Sequence, residues 1–232
     1  MQLRGACVVV TAVCLFSAGA DAAPRDFTAE ARVLYAVAAC GESPPAGYDP
    51  KVVTAHCKEL AKSVTSWKTQ WRDKAASFFG ELLKSKYPST IVYPFGGGDL
   101  STLLVVYPDA TDYTTLSLEG IGDPRPVMML SGGDAKEAPK RATRLASELT
   151  KMRNIVGPNL GWAWNTTIQL SIDSSETGLG IPGILTLALV AMDANDYEPL
   201  EVRYFQLGPK GVLTYIEPKD VEAWDVAAAK PA

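Results

Sequence analysis

Val53, Cys57, Leu60, Val64, Trp67, Trp71, Ala75, Phe78 and Leu82 recur at steps of three or four residues. That spacing places them on one stripe of a helix, so a long amphipathic helix dominates the N-terminal part of any fold this chain adopts. Asp49 stands at the N-cap position and Pro50 at the first helical position, where its missing amide costs nothing. The run predicts one long helix, or two joined near residues 63–66, ended by Pro88. A shorter helix is predicted over 28–39, with Phe27, Ala31, Leu34 and Ala38 on its buried face. Trp67 and Trp71 lie one turn apart and read as core stripe, the alternative being a sugar-stacking platform.

The start of the chain sets the compartment. Arg4 is followed by an apolar stretch over 6–18, then by small residues that fit cleavage after Ala20, Ala22 or Ala23. Residues 1–22 are therefore read as a signal peptide, too short to span a membrane, and the mature chain as soluble and periplasmic or secreted. Cys7 and Cys14 fall in the leader, which leaves Cys40 and Cys57 as an even pair in an oxidising compartment. A disulfide between them closes the helical hairpin across the loop of residues 41–50. The formal net charge is −4, and no run of basic residues offers a nucleic-acid surface. His56 is the only histidine. This rules out a two-histidine metal site, and no G-x-S-x-G turn supports a triad. His56 itself reads as a partly exposed helix residue, and no metal or cofactor is assigned.

Residues 90–122 carry the one candidate ligand-facing turn. The segment 90–93 favours a strand, Pro94 stops its ladder, and Gly96, Gly97 and Gly98 permit close approach of the backbone to a ligand. Asp99 is a candidate N-cap for a short helix over 100–106, Pro108 and Asp109 mark a turn, and 113–118 alternates as a strand. This is a β–turn–α–β layout. Glu119 lies 23 residues after Gly96, near the spacing of the acid that holds a ribose hydroxyl in dinucleotide-binding units. The helix is short, and Asp99 puts a negative charge where a phosphate would bind, so a tight capped turn is the simpler reading. Tyr93, Gly96, Gly97, Gly98, Asp99 and Glu119 are the candidate ligand-binding residues here. Asp99, Glu119 and Asp123 are the candidate acid–base carboxylates.

The stretches Tyr93-Pro94-Phe95-Gly96-Gly97-Gly98-Asp99, Tyr107-Pro108-Asp109-Ala110 and Leu118-Glu119-Gly120-Ile121-Gly122 resemble an exported bacterial family of uncharacterised proteins. Its motifs are Y-P-F-S-G-P-D, F-P-N-A and L-E-P-V-G, and the resemblance is concentrated in residues 90–122. Gly96, Gly98 and Gly120 stand where that family has serine, proline and proline. The resemblance implies export and a shared fold, brings no activity with it, and implies relatives longer than this chain.

Further along, 127–130 reads as a short strand or packing loop. A helix opens at Asp134, carries Ala138, Ala142, Leu145, Leu149 and Met152 on one face, and closes at Gly157-Pro158. Trp162 and Trp164 sit in a glycine-flanked turn and join the ligand-binding candidates, the other reading being a plug in the core. Residues 173–183 read as loop and 184–192 as a buried helix. Strands are expected over 200–207 and 212–216, joined by a four-residue loop. The expectation is a single α/β domain over 23–232, a mixed sheet flanked by helices with a Rossmann-like β–turn–α–β unit. Its helical part is 27–87, its core 90–216 and its frayed tail 217–232. Without a convincing catalytic set, the function expected is binding of a small molecule or an envelope partner. The alternatives are a carboxylate-based hydrolase or transferase, or a degenerate nucleotide or methyltransferase-like fold.

Overall fold

The computed structural model describes residues 26–83, 87–93, 100–115, 122–160 and 180–215. Residues 1–25, residues 94–99 with the three expected glycines and Asp99, Glu119, Trp162, Trp164 and residues 216–232 lie outside them.

The first helix, α1 (Thr28–Leu34), passes into a π-helical turn (Tyr35–Ala39) and stops at Cys40, which adopts the left-handed conformation. Phe27, Ala31, Leu34 and Ala38 are all fully buried, as their spacing requires. Gly41 follows because the Tyr35 ring lies against it; an added Cβ would sit 2.0 Å from the ring. The next helix, α2 (Pro50–Trp67), begins as read: the Asp49 carboxylate accepts from the Lys51 amide at 2.8 Å and the Val52 amide at 3.3 Å. Cys40 and Cys57 are joined, with Cα atoms 5.7 Å apart.

The long stripe breaks at one point. A second π turn (Lys68–Arg72) separates α2 from α3 (Asp73–Leu82), beyond the 63–66 junction considered above. A π turn inserts one residue and so rotates everything after it by about 100°. Trp67 is buried and stacks on Trp71 at 6.2 Å between ring centroids. Beyond the turn, Phe78 and Leu82 are 61% and 64% exposed, and Phe79 and Leu83 take the partly covered side.

Strand β1 (Thr90–Tyr93), helix α4 (Leu100–Val106) and strand β2 (Asp112–Thr115) follow. The turns Arg125–Leu130 and Ala135–Glu137 are 3-10 helices; the first replaces the strand or loop expected at 127–130 and buries Val127 and Leu130. Helix α5 (Ala138–Leu160) does not close at Gly157-Pro158. Proline removes one hydrogen bond, but burial of Val156 and Leu160 holds the last turn in place. Helix α6 (Gly183–Ala194) is the predicted apolar helix, buried on nearly every side. Strands β3 (Phe205–Leu207) and β4 (Leu213–Tyr215) form an antiparallel pair around Gly208–Gly211. The expected strand from 200 shortens because Val202 turns to the N-terminus: its carbonyl takes the Phe27 amide at 2.8 Å, and its amide donates to Thr28 Oγ1 at 2.9 Å.

The described residues form a helix-dominated α/β arrangement. Its two strand pairs stay separate, where the sequence pattern pointed to one mixed sheet. The main core joins the hairpin of α1 and α2 to α5 and α6. None of the described helices is long and apolar enough to cross a membrane.

The Cys40–Cys57 bond spans 17 residues, for which chain entropy gives about 3 kcal/mol of stabilisation. Urea unfolding of the Cys40→Ser, Cys57→Ser double variant should show a loss of that order; a change within about 0.5 kcal/mol, the range typical of neutral surface substitutions, would contradict the assignment.

Candidate functional site

Strands β1 and β2 run parallel, pairing Thr90 with Asp112, Ile91 with Tyr113, Val92 with Thr114 and Tyr93 with Thr115. The pairing is prepared just before it starts, where the Ser89 carbonyl accepts the Thr111 amide at 2.8 Å and the Asp112 amide at 3.0 Å. Helix α4 makes the crossover. Ile91, Leu103 and Ala110 form a small core, with Tyr87, Tyr93, Tyr107 and Tyr113 packed around it. The Tyr113 hydroxyl donates to the Tyr107 carbonyl, and burial holds its pKa above the usual phenol value. The Tyr87 hydroxyl accepts the Asp109 amide at 3.0 Å, which fixes the predicted turn.

This register puts Tyr93 beside Thr115 at the C-terminal ends of both strands. The segments 94–99 and 116–121 therefore leave from the same edge. Gly96, Gly97, Gly98 and Asp99 belong to the first and Glu119 to the second; all lie outside the described residues.

Asp123 is described, and it is engaged. Its carboxylate accepts the Arg125 amide at 2.9 Å and the guanidinium Nε at 2.9 and 2.8 Å, with Nη2 also in contact. That guanidinium lies 5.9 Å from the centroid of the Phe27 ring. Tyr204 packs edge-on to Phe27 and donates to the Gly122 carbonyl at 2.7 Å. Gly122 has φ +84°, and a Cβ there would lie 2.4 Å from Pro182 Cβ, so only glycine fits. Asp123 thus caps a turn and anchors an arginine.

A cleft of about 450 Å³ lies between α3 and α4, lined by Phe79, Leu83, Tyr87, Leu104, Pro108 and Asn195 among others. The sequence stripe did not place Phe79 and Leu83 together on a lining surface, because the π turn moves them there.

His56 is buried, contrary to its reading as a partly exposed residue. Its Nε2 lies 2.8 Å from the Ala38 carbonyl and its Nδ1 2.8 Å from the Arg153 guanidinium. A carbonyl only accepts and a guanidinium only donates, so the ring is neutral with its proton on Nε2. Burial lowers its pKa to about 4, the Ala38 hydrogen bond opposes that shift, and the Arg153 charge adds to it. Cys40, His56 and Cys57 bring one ligand atom each within 4.8 Å of one another. With both sulfurs in the disulfide and both ring nitrogens hydrogen-bonded, the group acts as a clamp between α1, α2 and α5.

No known protein family, curated protein or solved structure matches the chain.

His56 makes stability depend on pH. From pH 6.5 down to about 4 the unfolded chain takes up a proton that the folded chain refuses. Stability should be fully present above pH 6.5 and fall by about 1.4 kcal/mol per pH unit through that window, for a total of about 3 kcal/mol. Urea unfolding across this range should show that slope in the wild type relative to His56→Gln. Parallel curves would contradict it.

Proposed function

We propose that the chain is an exported binding domain that takes a small molecule at the edge from which the 94–99 turn and the Glu119 segment depart. The observation that carries this reading is the parallel register of β1 and β2, which sets Tyr93 next to Thr115. Ligands of open α/β folds bind outside the C-terminal ends of parallel strands, where the following turns converge. Three successive glycines in the first turn let main-chain amides approach a ligand without a Cβ in the way. Asp99 and Glu119 add carboxylates suited to hydroxyl or amine groups on that ligand. In this reading the unit is a reduced Rossmann-like βαβ, with one short crossover helix and two four-residue strands.

Export is supported by the leader-like residues 1–22 and by the Cys40–Cys57 bond, which persists in oxidising compartments. The acid–base alternative loses one of its three carboxylates, since Asp123 is held by Arg125. Binding is therefore the stronger reading.

Native mass spectrometry of the protein purified from the periplasm, beside its Asp99→Asn variant, tests this. The expected result is a co-purified small molecule on the wild type that is lost in the variant. Equal occupancy of both proteins would move the ligand away from this turn.

A further inference from the structure

Helix α3 has no fully buried residue, although its sequence is amphipathic. One side, with Phe79, faces the cleft toward α4. Another side carries Ala75, Phe78 and Leu82, whose steps of three and four residues set them on one seam. Ala75 is half-buried against the edge of the main core. Phe78 and Leu82 stand further out, and both are more than half exposed. A helix position that faces water is ordinarily polar, yet two large apolar side chains one turn apart hold this one. Large apolar groups rimmed by charges mark interaction surfaces.

The rim says what the surface fits. Lys74 and Glu81 each stand one residue before a seam position, Ala75 and Leu82, so both lie on the same flank of the seam. Both are exposed, and among the described residues neither is ion-paired, whereas Arg72 just before them is paired with Asp73. About 10.5 Å of helix separates them, too far for them to pair within one copy. A second copy of α3 laid antiparallel across the seam meets both charges at once. Equal flanks then face each other, so Lys74 of each copy meets Glu81 of the other. The two-fold axis passes between Ala75 and Phe78, and Phe78 of each copy lies over Ala75 of the other, large against small. In a parallel pairing Lys74 would stand beside Phe79 of the second copy, and the opposite charges would not meet.

We propose that α3 is a self-association surface through which two copies of the chain pair antiparallel. Phe78 and Leu82 supply the apolar burial, and two reciprocal Lys74–Glu81 ion pairs fix the register. Exposed ion pairs are individually weak, so they select orientation more than they add affinity. One helix face buries less than the roughly 1,200 Å² of a stable interface, so the dimer is reversible, with a Kd of about 10–100 µM.

Sedimentation velocity of the oxidised protein from about 5 to 500 µM, a range that brackets this Kd, tests the surface. A monomer–dimer equilibrium is expected. The Phe78→Ser, Leu82→Ser double variant should stay monomeric throughout, with an unchanged circular dichroism spectrum because both side chains are exposed. Lys74→Glu or Glu81→Lys alone sets like charges against each other twice and should weaken the dimer at least about fivefold. A mixture of the two single variants restores both ion pairs and should dimerise as the wild type does. A wild type that is monomeric across the whole range would overturn the proposal, and so would a dimer that survives in the Phe78→Ser, Leu82→Ser variant. A mixture that dimerises no better than either single variant would overturn the antiparallel register. Binding of a monomeric wild type to phosphatidylglycerol vesicles, lost in the same double variant, would assign the face to a membrane surface instead.

Discussion

The burial of α6 on nearly all its faces is the constraint the rest of the fold answers to. Ile184, Leu185, Leu187, Leu189, Val190 and Ala191 point in every direction around the helix, and all are buried. A helix apolar all round cannot lie half in water, and each of its covered Ile, Leu and Val side chains contributes about 1.5–3 kcal/mol. The cover comes from α5, from the π turn after α1, and from α4. Thr186, the polar residue on the helix that is fully buried, is satisfied by the Pro182 carbonyl at 2.7 Å. Because α4 is part of this cover, the β1–α4–β2 unit is mounted on the same helix that holds the N-terminal hairpin.

The hairpin is itself locked by three kinds of bond. The disulfide fixes its loop. His56 links a carbonyl at the end of the first helical segment to Arg153 on α5. Arg32 reaches Glu42 at 2.8 Å and the Pro199 carbonyl at 3.3 Å, which ties the hairpin to the chain beyond α6. The Tyr35 hydroxyl, 3.1 Å from Asp193, adds a contact to the end of α6 itself. Burial raises the Tyr35 pKa, with the Asp193 charge adding to it, and so keeps the phenol protonated as a donor.

Local signals were legible. Asp49 and Pro50 fixed the start of α2 because capping acts within one turn. The short helix at 100–106 and the buried helix at 184–192 followed from length and composition. What periodicity missed depends on distant partners or on a single extra residue. Phe78 and Leu82 lie on an unbroken sequence stripe, yet the π turn at Lys68–Arg72 rotates them to solvent. His56 is buried because Arg153, 97 residues away, meets its ring. For the candidate site, the layout read from residues 90–122 is met by a parallel β1–β2 pair across α4, with the second strand starting at Asp112, one residue before the expected 113. The engagement of Asp123 could have been read from Arg125 two positions on, since a short acid–arginine spacing before a proline-flanked turn favours such a pair. The cleft between α3 and α4 had no local signal, because the π turn and the packing of α3 on α4 bring its lining together and Asn195 joins it from the far end of α6.

If α6 is the hub, its amides are the last to open. Hydrogen exchange followed by mass spectrometry of the native, oxidised protein tests this directly. The slowest exchange should fall in α6 and in the parts of α2 and α5 around Leu60, Leu149 and Met152, with β1 and β2 exchanging well before them. Protection in β1 and β2 equal to or greater than that of α6 would contradict the account, because the parallel pair would then be the stable core and α6 an element added to it.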